Sequence, residues 1–267
     1  MMGEIIARLN KIEAEEGVKI LYACESGSRA WGFPSADSDF DVRFLYLHPR
    51  EWYLSIDHER KRDVIERPIN GRIDLNGWDL RKALILFRKS NPPLLEWLGS
   101  PIIYWEKYST ARQLRQLAAT GYSPKACMYH YLHMARGNYR EYLKGERVWI
   151  KKYFYILRPL LAINWLERGM GVVPTEFRVM VNQTIDSEEL KQEIERLIKA
   201  KEQGHELDYG PRIPVIGDFI DKEMKRLEGK QFTDDTGKCS IDQLNGLFRS
   251  ALNEVWPVVI SKQAGIV

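Results

Sequence analysis

Apolar residues recur along the chain with two different periods, which divide it into two halves. In the first half, helical spacing predicts an amphipathic helix over residues 3–16, which ends at Gly17. Short runs of β-branched and aromatic residues then predict strands, over 18–24, 40–47, 63–66 and 72–76. Asp79 suits the N-terminal cap of the next helix, because its carboxylate can accept hydrogen bonds from the free amide groups of the first turn.

From about residue 108 onwards the pattern is helical, and no strand pattern is evident after residue 105. The predicted helices lie near 108–119, 124–144, 147–169, 175–182, 187–203, 214–228 and 241–262. Strands followed by a run of helices favour an α+β fold over a repeated βαβ sheet. We therefore predict an α/β domain over residues 1–106 and an all-helical domain over 107–267.

The composition fits a folded cytoplasmic protein. The chain has 267 residues, of which 44% are apolar, so it can bury a core, and this excludes intrinsic disorder. Its three cysteines are far apart and odd in number, so they offer neither a disulfide framework nor a zinc-ligand spacing. Charged residues interrupt the apolar pattern at the N-terminus, and no apolar run is long enough for a bilayer. We therefore expect a cytoplasmic protein with no signal peptide and no membrane span.

Charge is distributed unevenly along the chain, although its total is only +3. Residues 101–180 hold 13 basic and 5 acidic side chains, whereas residues 1–100 and 181–267 have net charges of −1 and −4. The same basic segment holds 9 of the 13 tyrosines. Basic residues interleaved with aromatic residues suit an anionic ligand that stacks, such as a nucleotide or single-stranded RNA, although a Tyr-rich helical core has the same composition.

The sequence between the first two predicted strands, ESGSRAWGFPSADSDFDVRF over residues 25–44, carries the candidate chemistry. Gly27 and Ser28 end the first strand in a tight turn, which can direct backbone amides and a hydroxyl group at a phosphate. Asp39 and Asp41 begin the next strand and, two residues apart, point to the same side of it. Two carboxylates so close repel each other unless a cation lies between them, and Mg²⁺ prefers such hard oxygen ligands.

A third carboxylate on an adjacent strand is expected in a two-metal site, which stabilises both the attacking and the leaving oxygen of a phosphoryl displacement. Asp74, within RIDLN, has the expected form because apolar residues flank it in a predicted strand. Asp79 is the alternative, but its place before LRKAL favours the helix cap.

The Gly-Ser pair at Gly27, the DFD triplet at 39–41 and the later Asp74 resemble the DNA polymerase beta superfamily of nucleotidyltransferases. Four segments, which together indicate similarity over most of the chain, resemble more narrowly the RNA repair pathway DNA polymerase beta family: GSRAWGFPSADSDFDVRFLY, RIDLNGWDLRKAL, NPPLLEWL and KKYFYILRPLLAINWL. The resemblance implies a catalytic domain with a mixed sheet over 1–106, followed by a helical domain over 107–267 that binds nucleotide and acceptor.

The resemblance also implies a role for each residue of the motif. Gly27 and Ser28 would contact the nucleoside triphosphate, and Asp39 and Asp41 would bind two Mg²⁺ ions, for which Mn²⁺ could substitute. Asp74 would hold the catalytic metal and help to deprotonate the attacking hydroxyl. The chemistry agrees, because a metal lowers the pKa of the nucleophile and a nearby carboxylate can accept its proton.

Basic residues are candidates for the phosphate contacts. Arg29 follows the Gly-Ser turn and could add charge to a phosphate pocket, or could lie over Trp31 as a surface side chain. Lys151, Tyr155 and Arg158 lie at i, i+4 and i+7 of one predicted helix, so they could form a stripe that binds the triphosphate and stacks on the base. The alternative interpretation of this stripe is a solvated helix face.

Four further residues have less defined roles. Lys152 lies off the stripe that contains Lys151, yet it is also a candidate for nucleotide binding. No third metal ligand is evident beside His130 and His133, so contact with a phosphate or the acceptor fits better than a metal site, and a role in helix packing fits best. Glu96 is expected on a buried side, where it could pair with a basic residue.

The predicted function is metal-dependent transfer of a nucleoside monophosphate from a nucleoside triphosphate, with ATP expected, to a hydroxyl acceptor, with release of pyrophosphate. An RNA end is the first choice of acceptor. Nucleotidylation of a protein, or of an antibiotic or other small molecule, is the alternative reaction. A nucleotide- or RNA-binding module without activity is the non-enzyme alternative, although all three carboxylates are present.

Overall fold

The computed structural model describes residues 1–57, 60–143, 145–204, 207–233 and 237–257. The strands are β1 (Lys19–Glu25), β2 (Phe40–Leu47), β3 (Val64–Asn70), β4 (Ile73–Asp79), β5 (Ile103–Glu106), β6 (Arg147–Trp149) and β7 (Tyr209–Pro211). The helices are α1 (Met2–Glu16), α2 (Gly27–Trp31), α3 (Arg50–Tyr53), α4 (Leu80–Arg88), α5 (Pro92–Leu98), α6 (Thr110–Gly121), α7 (Pro124–Tyr142), α8 (Tyr153–Glu167), α9 (Phe177–Thr184), α10 (Glu188–Glu202), α11 (Pro214–Arg226) and α12 (Ile241–Val255). A short 3₁₀ helix (Ile150–Lys152) precedes α8.

Five strands form one mixed sheet, in the order β3-β4-β2-β1-β5. β2 and β4 are parallel, and the other neighbours are antiparallel. This sheet, followed by a mainly helical region, confirms the predicted α+β fold class. Because β2 and β4 run in the same direction, their first residues meet at one edge of the sheet, where Asp41 pairs in register with Asp74.

Both faces of the sheet are covered, because successive side chains of a strand point to opposite faces. Phe44 and Tyr46 belong to a buried cluster with the apolar side of α1. Leu45 and Leu47, on the other face, belong to a cluster that continues through the helices after residue 106. The two predicted domains therefore share one core, and the sheet is held against the helical region.

The helical region also contains a two-stranded ribbon, so the prediction of an all-helical segment after residue 105 is wrong. β6 pairs antiparallel with β7, and Val148 lies opposite Gly210. Strands of three residues are too short to show a period of two, and the partner strand is distant in the chain. The helix predicted over 147–169 consequently begins only at Tyr153.

β2 matches its prediction, whereas β3 and β4 extend four and three residues beyond the strands predicted over 63–66 and 72–76. The helix predicted over 241–262 ends at Val255, and its predicted residues from 258 onwards lie outside the described residues. None of the helices in the described part of the chain has the length and apolar character needed to cross a bilayer.

Candidate functional site

The turn at Gly27 lies directly against the side chain of Asp41. β1 ends at Glu25, and α2 begins at Gly27 with a left-handed backbone (φ 59°). A Cβ atom at position 27 would lie 2.1 Å from Oδ2 of Asp41. Only glycine meets both the conformational and the steric requirement without a shift of the carboxylate. The structure thus brings together two parts of the motif that are 14 residues apart in the sequence.

Asp41 and Asp74 share a guanidinium group at the edge of the sheet where β2 and β4 begin. Nη2 of Arg43 lies 3.1 Å from Oδ1 of Asp41 and 2.8 Å from Oδ2 of Asp74. Nη1 of Arg43 also donates to the backbone carbonyls of Val42 (3.2 Å) and Asp74 (3.3 Å). We call this place, with Gly27, Asp41 and Asp74, the carboxylate edge. Arg43 was not among the predicted site residues, because only the register of β2 against β4 reveals that it lies between two carboxylates.

The charges at the carboxylate edge are not balanced. Burial raises the pKa of Asp41, the charges of Asp74 and Asp39 raise it further, and Arg43 opposes the rise. Asp39 precedes β2 and is exposed, so it adds charge at the rim of the edge. Two or three carboxylates therefore face a single arginine.

The side-chain oxygens of the carboxylate edge are chemically suited to bind a hard divalent cation. They are carboxylate oxygens, they are partly buried, and they carry a net negative charge even when Arg43 is counted. Within the described residues, however, no three His, Cys, Asp or Glu side chains stand close enough together to form a complete metal cage. Arg43 takes one oxygen of each carboxylate and supplies the positive charge between Asp41 and Asp74 in this arrangement.

A buried glutamate holds the backbone of Asp41 from behind. Oε1 of Glu25 accepts a hydrogen bond from the backbone N–H of Asp41 (2.7 Å), and Oε2 accepts one from the hydroxyl of Tyr104 on β5. Burial raises the pKa of Glu25, and both hydrogen bonds oppose the rise. Sequence reasoning missed this residue, because a glutamate at the end of a strand is usually exposed.

The first residues of α2 fix the loop that precedes β2. The hydroxyl of Ser28 donates to Oγ of Ser38 (3.2 Å). Arg29 donates to the backbone carbonyls of Ser38 (2.8 Å) and Asp39 (3.0 Å), and its guanidinium group lies 3.8 Å from the centre of the Phe40 ring. Arg29 therefore stacks on this phenylalanine, instead of on the tryptophan suggested by the sequence, and holds the backbone at Asp39.

Lys151, Tyr155 and Arg158 do not lie on one helix, so the predicted stripe is not formed as such. Lys151 belongs to the 3₁₀ helix, and its backbone N–H donates to the carbonyl of Leu207 (2.9 Å) instead of to a helical partner. Tyr155 and Arg158 lie on α8. The ribbon of β6 and β7 ends next to this hydrogen bond and is the physical reason why the helix starts late.

Arg158 is an interior residue, 4% exposed. Nη2 lies 3.2 Å from Oε2 of Glu96, and Nη1 donates to the carbonyl of Thr175 (2.8 Å). Tyr131 donates to the other oxygen of Glu96 (3.2 Å). The expected pairing of Glu96 with a basic residue is thus confirmed. This burial argues against contact between Arg158 and a nucleotide, and the predicted binding role of Arg158 stays a prediction.

Tyr155 joins α8 to α2, and Lys152 of the 3₁₀ helix lies against Tyr155. Tyr155 is partly exposed, and its ring meets that of Trp31 edge-on at 5.7 Å between centres. Burial raises the pKa of Tyr155, and the charge of Asp41 adds to the rise, so the two side chains are within electrostatic range. Nζ of Lys152 lies 4.9 Å from the centre of the Tyr155 ring and 4.2 Å from that of Tyr142. Lys152 therefore contacts the tyrosine of the predicted stripe.

Asp79 is confirmed as a helix cap. Its Oδ1 accepts a hydrogen bond from the backbone N–H of Arg81 (2.8 Å), and its Oδ2 accepts one from the hydroxyl of Tyr53 (2.6 Å). Burial raises the pKa of Asp79 to about 6, although these hydrogen bonds oppose the rise. Asp79 ends β4, whereas Asp74 lies at its start, so the two are at opposite ends of the strand.

The two histidines of α7 differ in exposure. His130 is half-buried and His133 is exposed. Burial lowers the pKa of His130, the charge of His133 adds to this effect, and the charge of Glu96 opposes it. His130 is thus half-buried and within electrostatic range of Glu96, which agrees with a helix-packing role.

A cavity of about 810 Å³ lies between α4 and α12, but no predicted site residue lines it. Its lining includes Leu84 and Ile85 of α4 and Leu244 and Phe248 of α12. The cavity follows the C-terminal end of β4, and the carboxylates lie at the other end. The cavity is therefore separate from the carboxylate edge.

A family model and a curated protein each match almost the whole chain. A family model described as the RNA repair pathway DNA polymerase beta family matches residues 1–250. The "Uncharacterized protein YcgL" of Bacillus subtilis (strain 168) is 51% identical over 257 residues, which are 96% of this chain and 98% of that protein. A crystal structure of a nucleotidyltransferase-like protein from Exiguobacterium sibiricum 255-15 covers 82% of this chain and 73% of its own, at 16% identity and a TM-score of 0.27. That structural likeness is too low to carry an argument about chemistry.

Proposed function

Because the chain belongs to the RNA repair pathway DNA polymerase beta family, we propose that it is a metal-dependent nucleotidyltransferase, which transfers a nucleoside monophosphate from a nucleoside triphosphate to a hydroxyl acceptor and releases pyrophosphate. One observation carries the proposal. Asp41 and Asp74 pair in register on parallel strands, and the turn at Gly27 lies against Asp41. Carboxylates next to a tight glycine turn suit the joint binding of divalent cations and phosphates.

The carboxylates would do the chemical work. Asp41 and Asp74 would hold Mg²⁺ or Mn²⁺, and Asp39, which is exposed at the rim, would become a further ligand by turning its side chain towards the ion. Such an ion, when bound, neutralises phosphate charge and lowers the pKa of the attacking hydroxyl. Asp74 would accept the proton of that hydroxyl on a carboxylate oxygen. Arg43 keeps both side chains in place through one oxygen of each, and Glu25 fixes the backbone of Asp41.

The nucleotide would lie between the turn and α8. The amide groups at the start of α2 and the hydroxyl of Ser28 would contact phosphate oxygens. On the opposite side, Lys152 and Lys151 supply positive charge, and the half-exposed ring of Tyr155 offers a surface on which a base can stack. ATP is the nucleotide that we expect to be used.

An RNA end is the acceptor that we propose. Lys152 is surrounded by the rings of Tyr142, Trp149 and Tyr155, and the Trp149 ring stacks on that of Tyr209 at 5.8 Å. Such a group of partly or fully exposed aromatic rings around a cation suits single-stranded nucleic acid, because bases stack on the rings and phosphates pair with the charge. The basic segment that contains it, residues 101–180, has a net charge of +8.

The test follows the α-phosphate of the nucleotide. The protein is incubated with Mg²⁺, with each α-³²P-labelled nucleoside triphosphate in turn, and with cellular RNA, cellular protein and a small-molecule extract. Label that becomes acid-insoluble and nuclease-sensitive supports RNA, protease-sensitive label identifies a protein acceptor, and label in an organic-soluble product identifies a small molecule. Asp41→Asn is the negative control. Absence of transfer from every triphosphate would contradict the proposed activity.

A further inference from the structure

Lys201 places a positive charge against the segment that follows the Gly27 turn, although no motif of the sequence pointed to it. It lies near the end of α10 and is half-buried. Its Nζ donates to the backbone carbonyl of Phe33 (3.1 Å) and lies 4.6 Å from the centre of the Phe33 ring. Phe33 belongs to the segment that begins at Gly27, so Lys201 ties this segment to the helical region.

The carboxylate next to Lys201 in the sequence is already engaged. Oε1 of Glu202 accepts hydrogen bonds from Nη1 and Nη2 of Arg178, both at 3.1 Å. Arg178 also pairs with Glu195 and donates to the backbone carbonyl of Gly32 (2.8 Å). Within the described residues, Lys201 consequently has no carboxylate as a direct ion-pair partner.

Lys151 adds a second positive charge to that of Lys201, which has no carboxylate partner within the described residues. Burial lowers the pKa of Lys201 to about 8, the charge of Lys151 lowers it further, and the charges of Glu202 and Asp41 oppose the effect. Nζ of Lys201 also lies 6.0 Å from the centre of the Phe154 ring at the start of α8, three residues after Lys151. Lys201 therefore lies near the segment that carries Lys151 as well as against the segment that follows the Gly27 turn. Two like charges at a partly desolvated place destabilise the folded state unless an anion joins them.

We infer that Lys201 and Lys151 together form a binding site for a polyphosphate, which takes the phosphates of the substrate beyond the α-phosphate or the departing pyrophosphate. The carbonyl of Phe33 uses one of the three N–H donors of Lys201, which leaves two for phosphate oxygens. Lys151 is exposed and contributes a second cation. The identity of the ligand as part of a nucleotide rests on the proposed function, but binding of the anion does not require turnover.

The experiment measures binding of inorganic pyrophosphate by titration calorimetry, without divalent ions and at constant ionic strength. Lys201→Met and Lys151→Met are each expected to weaken binding roughly tenfold or more, because each removes a charged hydrogen-bond donor. Lys199→Met is the matched control, since Lys199 lies exposed on the same helix, and its affinity should equal that of the wild type. Lys201→Arg, which keeps the charge, should retain most of the affinity.

The melting temperature separates a binding role from a structural one. If Lys201 serves an absent anion, Lys201→Met should melt at or above the wild-type temperature, because it relieves an unbalanced charge and keeps the packing on Phe33. Unchanged pyrophosphate affinity in Lys201→Met would overturn the inference, and a lower melting temperature would then assign Lys201 to the Phe33 carbonyl alone. Lys151 is exposed, so Lys151→Met keeps the test valid if Lys201→Met does not fold.

Failure of this inference and failure of the proposed function give different results. Loss of pyrophosphate binding in the lysine variants, together with no nucleotide transfer by the wild type, would leave the anion site intact and refute the proposed reaction. Nucleotide transfer by the wild type, together with equal pyrophosphate affinity in the wild type and in Lys201→Met, would support the proposed reaction and refute the anion site.

Discussion

Arg158 and Arg43 both pair with carboxylates, but the balance of charge around the two arginines differs. In the interior, Arg158 meets one carboxylate, Glu96, and is almost completely buried. At the carboxylate edge, Arg43 lies between two carboxylates, Asp41 and Asp74, and is partly exposed. The interior pair is neutral, whereas the edge keeps a net negative charge.

This difference implies opposite responses to the removal of a charge. In the interior, removal of one partner leaves the other charge buried without compensation, which destabilises the fold strongly. At the edge, removal of one carboxylate charge relieves repulsion, so stability should hold or rise. Charge that the fold does not balance is expected where charged ligands bind, because the ligand supplies the balance.

The largest expected effect belongs to Asp41→Asn. Nucleotide transfer should fall at least about 10³-fold, because a neutral amide is a poor ligand for a hard cation. The melting temperature should hold or rise, since burial and two neighbouring carboxylates already disfavour the charge of Asp41. Initial rates of label transfer and thermal melts measure the two quantities. Asp37→Asn, an exposed aspartate of the same loop, is the control for both.

A normal transfer rate in Asp41→Asn would remove the carboxylate edge from the mechanism. A large fall in melting temperature would show instead that the edge behaves as the interior pair does. Either result would break the comparison between the two arginines.

Arg158→Met should give the opposite pattern. We expect a loss of about 3 kcal/mol in the free energy of unfolding, because Glu96 would remain largely buried with only the hydrogen bond from Tyr131. For a chain of this length this corresponds to a fall of roughly 10 °C in melting temperature. Denaturant unfolding and the KM for the nucleotide are both measured, and the KM should stay unchanged.

Arg168→Met is the control for Arg158→Met, because Arg168 pairs with a highly exposed carboxylate, that of Asp186. Its free energy of unfolding should change by less than about 1 kcal/mol. A raised KM in Arg158→Met at unchanged stability would restore the nucleotide contact predicted from the sequence.

Local patterns predicted the parts of the fold that depend on neighbours in the chain. The bounds of β2 follow from its β-branched and aromatic run, and the cap at Asp79 follows from a carboxylate placed before an amphipathic segment. The sequence predicted only that Asp41 and Asp74 lie on adjacent strands. The parallel register of β2 and β4 places the two residues opposite each other. The same local logic fails at Val148, whose strand partner lies far along the chain.

Residues that act across the fold could not be predicted in the same way. Arg43 is one of many basic residues until the register of β2 and β4 is known. Lys201 lies 168 residues from Phe33, the residue that accepts its hydrogen bond. Arg158 looked like part of a helix face, and only the packing of α8 against α5 and the loop before α9 shows that Glu96 and Thr175 enclose it.

Arg43→Gln should have a moderate effect that depends on pH. We expect a loss of about 1–2 kcal/mol near neutral pH, from the charged hydrogen bonds to Asp41 and Asp74. Arg43 opposes the rise in the pKa of Asp41, so its removal raises that pKa further. A carboxyl whose pKa is raised by folding destabilises the fold when ionised, and this penalty disappears as the pH falls through the raised value. The deficit should therefore shrink towards acidic pH.

Thermal melts of Arg43→Gln and the wild type across neutral to acidic pH measure this effect. Arg62→Gln is the control, because Arg62 forms an exposed pair with Glu66 and its removal should have no such pH dependence. Mg²⁺ should also raise the melting temperature of Arg43→Gln more than that of the wild type, since a cation can replace the missing charge. A loss of stability that stays constant with pH would mean that Arg43 acts only through its hydrogen bonds to the backbone carbonyls of β2 and β4.

The smallest expected effect is the pH dependence of anion binding at Lys201. Burial and the charge of Lys151 lower the pKa of Lys201 to about 8, against the opposing charges of Glu202 and Asp41. Above this pH the lysine loses its charge, so pyrophosphate affinity should fall about tenfold between about pH 7 and pH 9. Lys201→Arg keeps its charge throughout, and the ratio of the two affinities cancels the ionisation of pyrophosphate itself.

Lys151→Met identifies the source of this pH dependence. Because Lys151 lowers the pKa of Lys201, its removal should raise that pKa and move the loss of affinity to higher pH. Lys199→Met, on the exposed side of α10, should leave the profile in place. A profile that runs parallel in the wild type and in Lys201→Arg would mean that Lys201 does not carry the charge that binds the anion. A pH profile that shifts in Lys151→Met but not in Lys199→Met would mean that the two lysines act on one bound anion. The anion would then balance their charge, as Glu96 balances the charge of Arg158 within the protein itself.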